Sequence, residues 1–204
     1  MSSIVIKGDT SGQITLDAPA VAGTNVLSLP AVTATLATNI NGTLYPIVAG
    51  TAVASTSGTS VDFTNLPSWV ERITVQFSGV STNGSSIIIV QLGTGATPTY
   101  TTSGYLGASV GGLTGVSPLV TNYSTGFMIG SDGAATYVRH GTLVLSNITG
   151  NTWVASSALG LSDSARFTTG GGTIALAAAL TAVRITTVNG TDAFDAGTVN
   201  ILYE

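Results

Sequence analysis

From Trp69 onward the chain alternates between apolar and polar residues. The stretch "WVERITVQF" sets Trp69, Glu71, Ile73, Val75 and Phe77 on one side of a period-two pattern, with Val70, Arg72, Thr74 and Gln76 on the other. That pattern predicts a strand with one face in a core. "SSIIIVQLG" does not alternate and predicts a strand buried on both faces. "ATYVRHGTLVLSNI" places Tyr137, Arg139, Leu143 and Leu145 opposite Val138, His140 and Val144, and "NTWVASSALGL" gives Trp153, Ala155, Leu159 and Leu161 a common face. "AVRITTV" and "TVNILYE" repeat the pattern, with Val183, Ile185, Val199, Ile201 and Tyr203 inward. Turn chemistry separates these runs: Asn83-Gly84, Asp132-Gly133, Asn189-Gly190 and the "ITGN" around Gly150. The one alanine-rich stretch, "IALAAALTAV", follows the triple glycine Gly170–Gly172 and leads straight into alternation, which argues against a helix. The expectation is an all-β fold over residues 46–204, with about eight to ten short strands in an antiparallel sandwich, jelly-roll-like in layout.

Residues 1–45 follow a different rhythm. "GQITLDAP", "TNVLSLPA" and "VTATLATN" each carry an apolar pair around one polar residue, then Pro or a small-residue bend. Strands this short, interrupted by Pro19 and Pro30, cannot bury a closed core within one chain. Ile14, Leu16, Leu27, Leu29 and Leu36 are therefore expected to form a stem or attachment core shared with identical neighbours. "NINGTLYP" reads as the join to the larger domain.

Composition sharpens this picture. Charged residues make up 7% of the 204, while 44% are hydrophobic, and polarity comes from Thr, Ser, Asn and Gly. An ordinary domain carries about 25% charged residues. Surfaces so poor in charge suit close packing between subunits. The longest apolar runs, Ile87–Val90 and Ile174–Leu180, fall far short of the roughly 20 residues a spanning helix needs. The formal net charge is -4, and the five basic residues (Lys7, Arg72, Arg139, Arg166 and Arg184) are scattered. No stripe tracks a phosphate backbone, which argues against nucleic-acid binding. Cysteine is absent, which excludes disulfides and thiolate metal sites. "MSSIVIKGDT" has no basic start followed by an apolar stretch, so no secretory signal is expected.

The acid–base inventory is thin. His140 is the one histidine, it lies in a strand-like pattern, and no G-x-S-x-G elbow accompanies it. Asp192 and Asp195 in "NGTDAFDAGT" are close enough in sequence to share a cation with Asn189. They lack the spacing of a calcium loop, and a hairpin whose acids accept backbone N–H bonds is the preferred reading. "QLGTGATPTY" has G-x-G without a following helix or lysine, a weak phosphate cradle. No enzyme, cofactor or metal site is expected. "YTTSGYLGASVGGLTGVSP" reads as a long Gly/Ser/Thr loop, with Tyr100, Tyr105 and, just beyond, Tyr123. Tyrosines among small polar residues make rigid amphipathic surfaces, so these three are candidates for glycan or receptor contact. Packing at a subunit interface or across the sandwich rim is the preferred reading of the same loop.

The phrase "GDTSGQITLDAPAVAGTNVLSLPAVTATLAT", running from Gly8 to Thr38, resembles the N-terminal segment of tailed-bacteriophage fibre and virion appendage proteins. The later "SWVERITVQFSGVSTNGSSIIIVQLG" and "FDAGTVNILYE" are similar in style to the β-sandwich domain that follows it in that family. The resemblance implies a homotrimeric structural virion protein, a tail or baseplate fibre attached through its N-terminal part. Its C-terminal head would meet the host surface and a cell-surface glycan. A capsid-decorating head fibre or a tail collar component with a purely structural role is the alternative it leaves open. It implies partnership with other virion proteins, no membrane insertion, and synthesis in the host cytoplasm before assembly into the virion.

Overall fold

The computed structural model describes residues 3–7, 13–17, 47–113 and 115–204. The chain divides into two compact units, Met1–Leu44 and Tyr45–Glu204. In the first, β1 (Ser3–Lys7) pairs antiparallel with β2 (Gln13–Asp17), so that Ile14 lies opposite Ile6 and Leu16 opposite Ile4. The beat "QITLD" thus has a strand partner in its own chain. Leu27, Leu29 and Leu36 lie outside the described residues.

The second unit is all β, with no helix among the described residues. Its strands are β3 (Val48–Ala49), β4 (Val53–Ala54), β5 (Ser60–Phe63), β6 (Arg72–Thr82), β7 (Ile88–Thr94), β8 (Thr99–Tyr100) and β9 (Leu106–Leu113). There follow β10 (Val116–Tyr123), β11 (Phe127–Met128), β12 (Arg139–Thr149), β13 (Thr152–Leu161), β14 (Arg166–Ala175), β15 (Leu180–Thr187) and β16 (Phe194–Tyr203). A nine-stranded sheet runs β10-β9-β14-β13-β12-β6-β16-β3, with β4 also on β16. A five-stranded sheet runs β11-β7-β15-β5, with β8 on β7. Every pairing is antiparallel, and the architecture is sandwich-like.

One core joins the two sheets. Ile73, Val75, Leu143, Leu145, Trp153 and Leu159 from the larger sheet meet Val61, Val90, Leu92, Val183 and Ile185 from the smaller. These are the inward positions of the period-two pattern, and burying each such side chain contributes about 1.5–3 kcal/mol. Strand β7 is buried on both faces along Ile88–Gly93, as its unbroken apolar run predicts. Strand β6 begins at Arg72 rather than Trp69, because Val70 closes a turn on Pro67 O and Glu71 hydrogen-bonds Glu204 O.

The Gly/Ser/Thr segment after Tyr100 departs from expectation. It is not a long loop but the β9–β10 hairpin, which joins the larger sheet through β14. Its glycines make room for incoming side chains. A Cβ on Gly172 would stand 2.5 Å from the Tyr123 hydroxyl, and one on Gly107 would fall on the same group. A Cβ on Gly111 would fall on the Ser131 hydroxyl. Around these glycines the inner face is built from the Tyr123 and Ser131 side chains laid over bare backbone, so β9 carries no apolar alternation of its own.

Candidate functional site

The three candidate tyrosines do not form one surface. Tyr105 is fully buried, its ring edge-on to Phe127 with centroids 4.9 Å apart, and its hydroxyl accepts the Leu92 N–H at 2.8 Å. Tyr123 is buried beside the same ring, 6.2 Å between centroids. Burial pushes both phenols up to about 12. Sugar stacking needs an open ring face, and these two have none. The expectation of a glycan contact at Tyr105 and Tyr123 is corrected: alternation carries them inward, where apolar rings gain most from leaving water.

Tyr100 belongs to a different arrangement, on the outer face of the five-stranded sheet. Three strands bring Asp62, Arg184 and Gln91 into one row across β5, β15 and β7. The Asp62 carboxylate accepts from Arg184 Nε at 2.8 Å and Nη2 at 2.7 Å, a bidentate pair that fixes the guanidinium plane. Arg184 Cζ stands 3.9 Å from the centre of the Tyr100 ring. The ring also lies against Gly93, where a Cβ would sit 2.9 Å from Cδ1. Burial, then the Asp62 charge, raises the Tyr100 phenol above its ordinary value, and the Asp62 hydrogen bond raises the Arg184 guanidinium.

Beside this row runs a groove of about 330 Å³, lined by Thr59, Ser60, Gln91, Thr102, Thr125 and Thr186 among others. Two of these groups brace its walls: Gln91 Nε2 donates to Thr125 O at 2.9 Å, and Thr186 Oγ1 to Thr59 O at 2.9 Å. Hydroxyls and amides on rigid strands can hold a neutral, hydroxyl-rich ligand by hydrogen bonds. They supply no acid, base or nucleophile of unusual reactivity. The sequence reading singled out Tyr100 but not Asp62, Arg184 or the threonines. Its available signal was an arginine and an aspartate at outward positions of the strand runs "AVRITTV" and "SVDF".

Several of the residues with acid–base capacity elsewhere are tied into the scaffold. His140 Nδ1 accepts the Gly79 N–H at 3.1 Å, and Nε2 lies 3.1 Å from Ser162 Oγ. Asp192 accepts from Asn189 Nδ2 at 2.7 Å and from the Ser86 N–H at 2.8 Å; the first, then the second, holds its carboxyl below the ordinary value. Asp195 instead accepts from Ser81 Oγ on β6, so the two acids serve different anchors rather than one cation. Arg139 is buried, donates through Nη2 to Asp132 O at 3.3 Å, and burial lowers its pKa. Asp132 also pairs with Arg166, and the Tyr137 ring lies 4.9 Å from the Arg166 guanidinium and 5.5 Å from that of Arg139. Among the described residues no three His, Asp or Glu side chains cluster as a metal site would require, and no helix is long and apolar enough to cross a membrane.

Compared with known proteins, the chain matches no family model, no curated protein and no solved structure.

Proposed function

We propose that this chain is a structural virion protein of a tailed phage, a homotrimeric tail or baseplate fibre whose 46–204 domain contacts the host surface. The observation that carries this reading is the Gly8–Thr38 phrase, which resembles the attachment segment of such fibres. The structure supports it in two ways. In the larger unit His140, Asp192 and Asp195 are each engaged by hydrogen bonds within the scaffold, which suits a binding role better than catalysis. The outer face of its smaller sheet also presents a braced, hydroxyl-lined groove that fits a neutral glycan. In this reading Ile14, Leu16, Leu27, Leu29 and Leu36 pack against their copies in a stem, where apolar burial repeated in three chains offsets the ordering entropy.

The test is location. An antibody against residues 46–204, applied to particles of a phage that encodes the chain, is expected to label the tail or baseplate in electron micrographs. Label confined to the capsid would select a head fibre instead. Particles that carry no label and no peptide of this chain by mass spectrometry would overturn the assignment.

A further inference from the structure

We infer that a second copy of this chain docks on the outer face of the nine-stranded sheet, at the end formed by β9, β10 and β14. The inference deepens the fibre reading, which supplies the expectation that copies meet, and it names where they do.

Strand register sets the character of that face. One outward row runs Thr142, Ala158, Thr169, Val110 and Val120 across β12, β13, β14, β9 and β10. The next runs Val144, Ser156, Gly171, Ala108 and Asn122. Neither row holds a charge. Three large apolar side chains stand out from the same end of the face: Leu106 at 68% exposed, Val120 at 62% and Phe167 at 53%. Leu106 and Phe167 bracket Val110 along neighbouring strands. A cluster of this kind on a charge-free field marks an interaction surface.

Two observations select a copy of the chain as the occupant. The first is complementarity. A partner must itself be poor in charge here, or strand its charges against a surface that cannot pair them, and a neighbouring copy of this chain, with 7% charged residues, meets that condition as the next member of a ring. The outer face of the five-stranded sheet does not, because Asp62 and Arg184 stand in its centre. The second is area. Five strands at ~4.8 Å spacing and about seven residues of ~3.4 Å give a flat face of about 600 Å². Side-chain relief raises the accessible area toward the ~800 Å² per partner of a stable interface. Contact is face to face rather than strand to strand. Pro118 and the register shift between Val116 and Leu119 blunt the free edge of β10 against pairing with another strand.

The test uses the full chain in light scattering at micromolar concentration. The wild type is expected to run as an assembly, and Val120→Asp and Phe167→Asp each to weaken association at least about tenfold, since a carboxylate would be buried unpaired. Thr102→Asp, at an exposed position in the groove of the other sheet, should leave association unchanged. A monomeric wild type overturns the inference. So does an assembly indifferent to both apolar substitutions; copies would then meet elsewhere, and the fibre reading would stand without this face. Because the chain has no cysteine, Val120→Cys adds a readout that leaves folding intact. Maleimide labelling there should be at least about tenfold slower than at Thr102→Cys, in proportion to the free fraction of the face, and should speed up on dilution. Equal rates at the two sites, unchanged by dilution, overturn it as well.

Discussion

Removing one oxygen from Tyr105 separates a core role from a surface role. In Tyr105→Phe the ring keeps its edge-on contact with Phe127, but the Leu92 N–H loses the acceptor it reaches at 2.8 Å inside the core. A buried donor left without a partner costs about 1–3 kcal/mol. In a domain of this size each kcal/mol moves the melting temperature by roughly 2–4 °C, so a fall of about 2–12 °C is expected. Circular dichroism during thermal and urea unfolding reads it directly. Tyr123→Phe is the comparison, because the Tyr123 hydroxyl is buried with no hydrogen-bond partner among the described residues; it should cost less than Tyr105→Phe. Alkaline titration adds a second reading. The folded protein holds the Tyr105 proton to about 12, whereas the unfolded chain releases it near 10. The associated stability is whole below about 10 and is lost as the pH rises toward about 12. Tyr105→Phe should flatten that loss. A variant as stable as the wild type, with an unchanged alkaline profile, would refute the core assignment of this side chain.

The close approach at β9 predicts non-additivity. Gly111→Ala should destabilise by about 1–3 kcal/mol through overpacking against Ser131, and Ser131→Ala in the same chain should recover most of it; urea midpoints of the two single variants and the double variant measure the coupling. Asp192 gives the acid side. Its folded carboxyl lies below the ordinary value, so its contribution is present above the unfolded pKa and lost as the pH falls through the folded one. Asp192→Asn should therefore lower the urea midpoint at neutral pH, and its difference from wild type should vanish in strong acid. In the groove, Arg184→Ala should change stability by no more than about 1 kcal/mol, since the pair with Asp62 is partly exposed. It should nevertheless alter any glycan binding read by titration calorimetry, because it frees the Tyr100 ring.

What the sequence made legible follows from where each core face draws its side chains. Strands β6, β7, β12, β13, β15 and β16 bring their own apolar residues to the interior, so alternation at Ile73/Val75/Phe77 or Leu143/Leu145 revealed them. Strands β9 and β14 scarcely do, apart from Ile174 near the end of β14. Their inward positions include Gly107, Ser109, Gly111, Gly170 and Gly172, and what fills the space above Gly107, Gly111 and Gly172 is Tyr123 and Ser131 from another segment. No window centred on "LGASVGGL" contains that information. The tyrosines suffered the converse error. Nearness in sequence suggested one surface, while Tyr105 and Tyr123 turn into the core and Tyr100 turns out. The Asp62–Arg184 pair was hidden because its partners come from strands far apart in the chain, and only sheet order sets them side by side.

The position of β16 has a consequence for how the domain is made. It is the last strand of the sandwich, yet it lies inside the nine-stranded sheet, pairing Ile201 with Val75 on β6 and Tyr203 with Val48 on β3. While a ribosome still holds β16, β6 has β12 on one side and nothing on the other, and Ile73, Val75 and Phe77 lack part of their cover. Closure therefore waits until β16 has left the ribosome. During that interval the unfinished sheet offers an open apolar edge to any nascent neighbour. Non-local pairing of this kind is also slow, so many copies made at once on one message would compete with their own completion. The yield of correctly closed domains should therefore rise when synthesis is slowed or spread over more time.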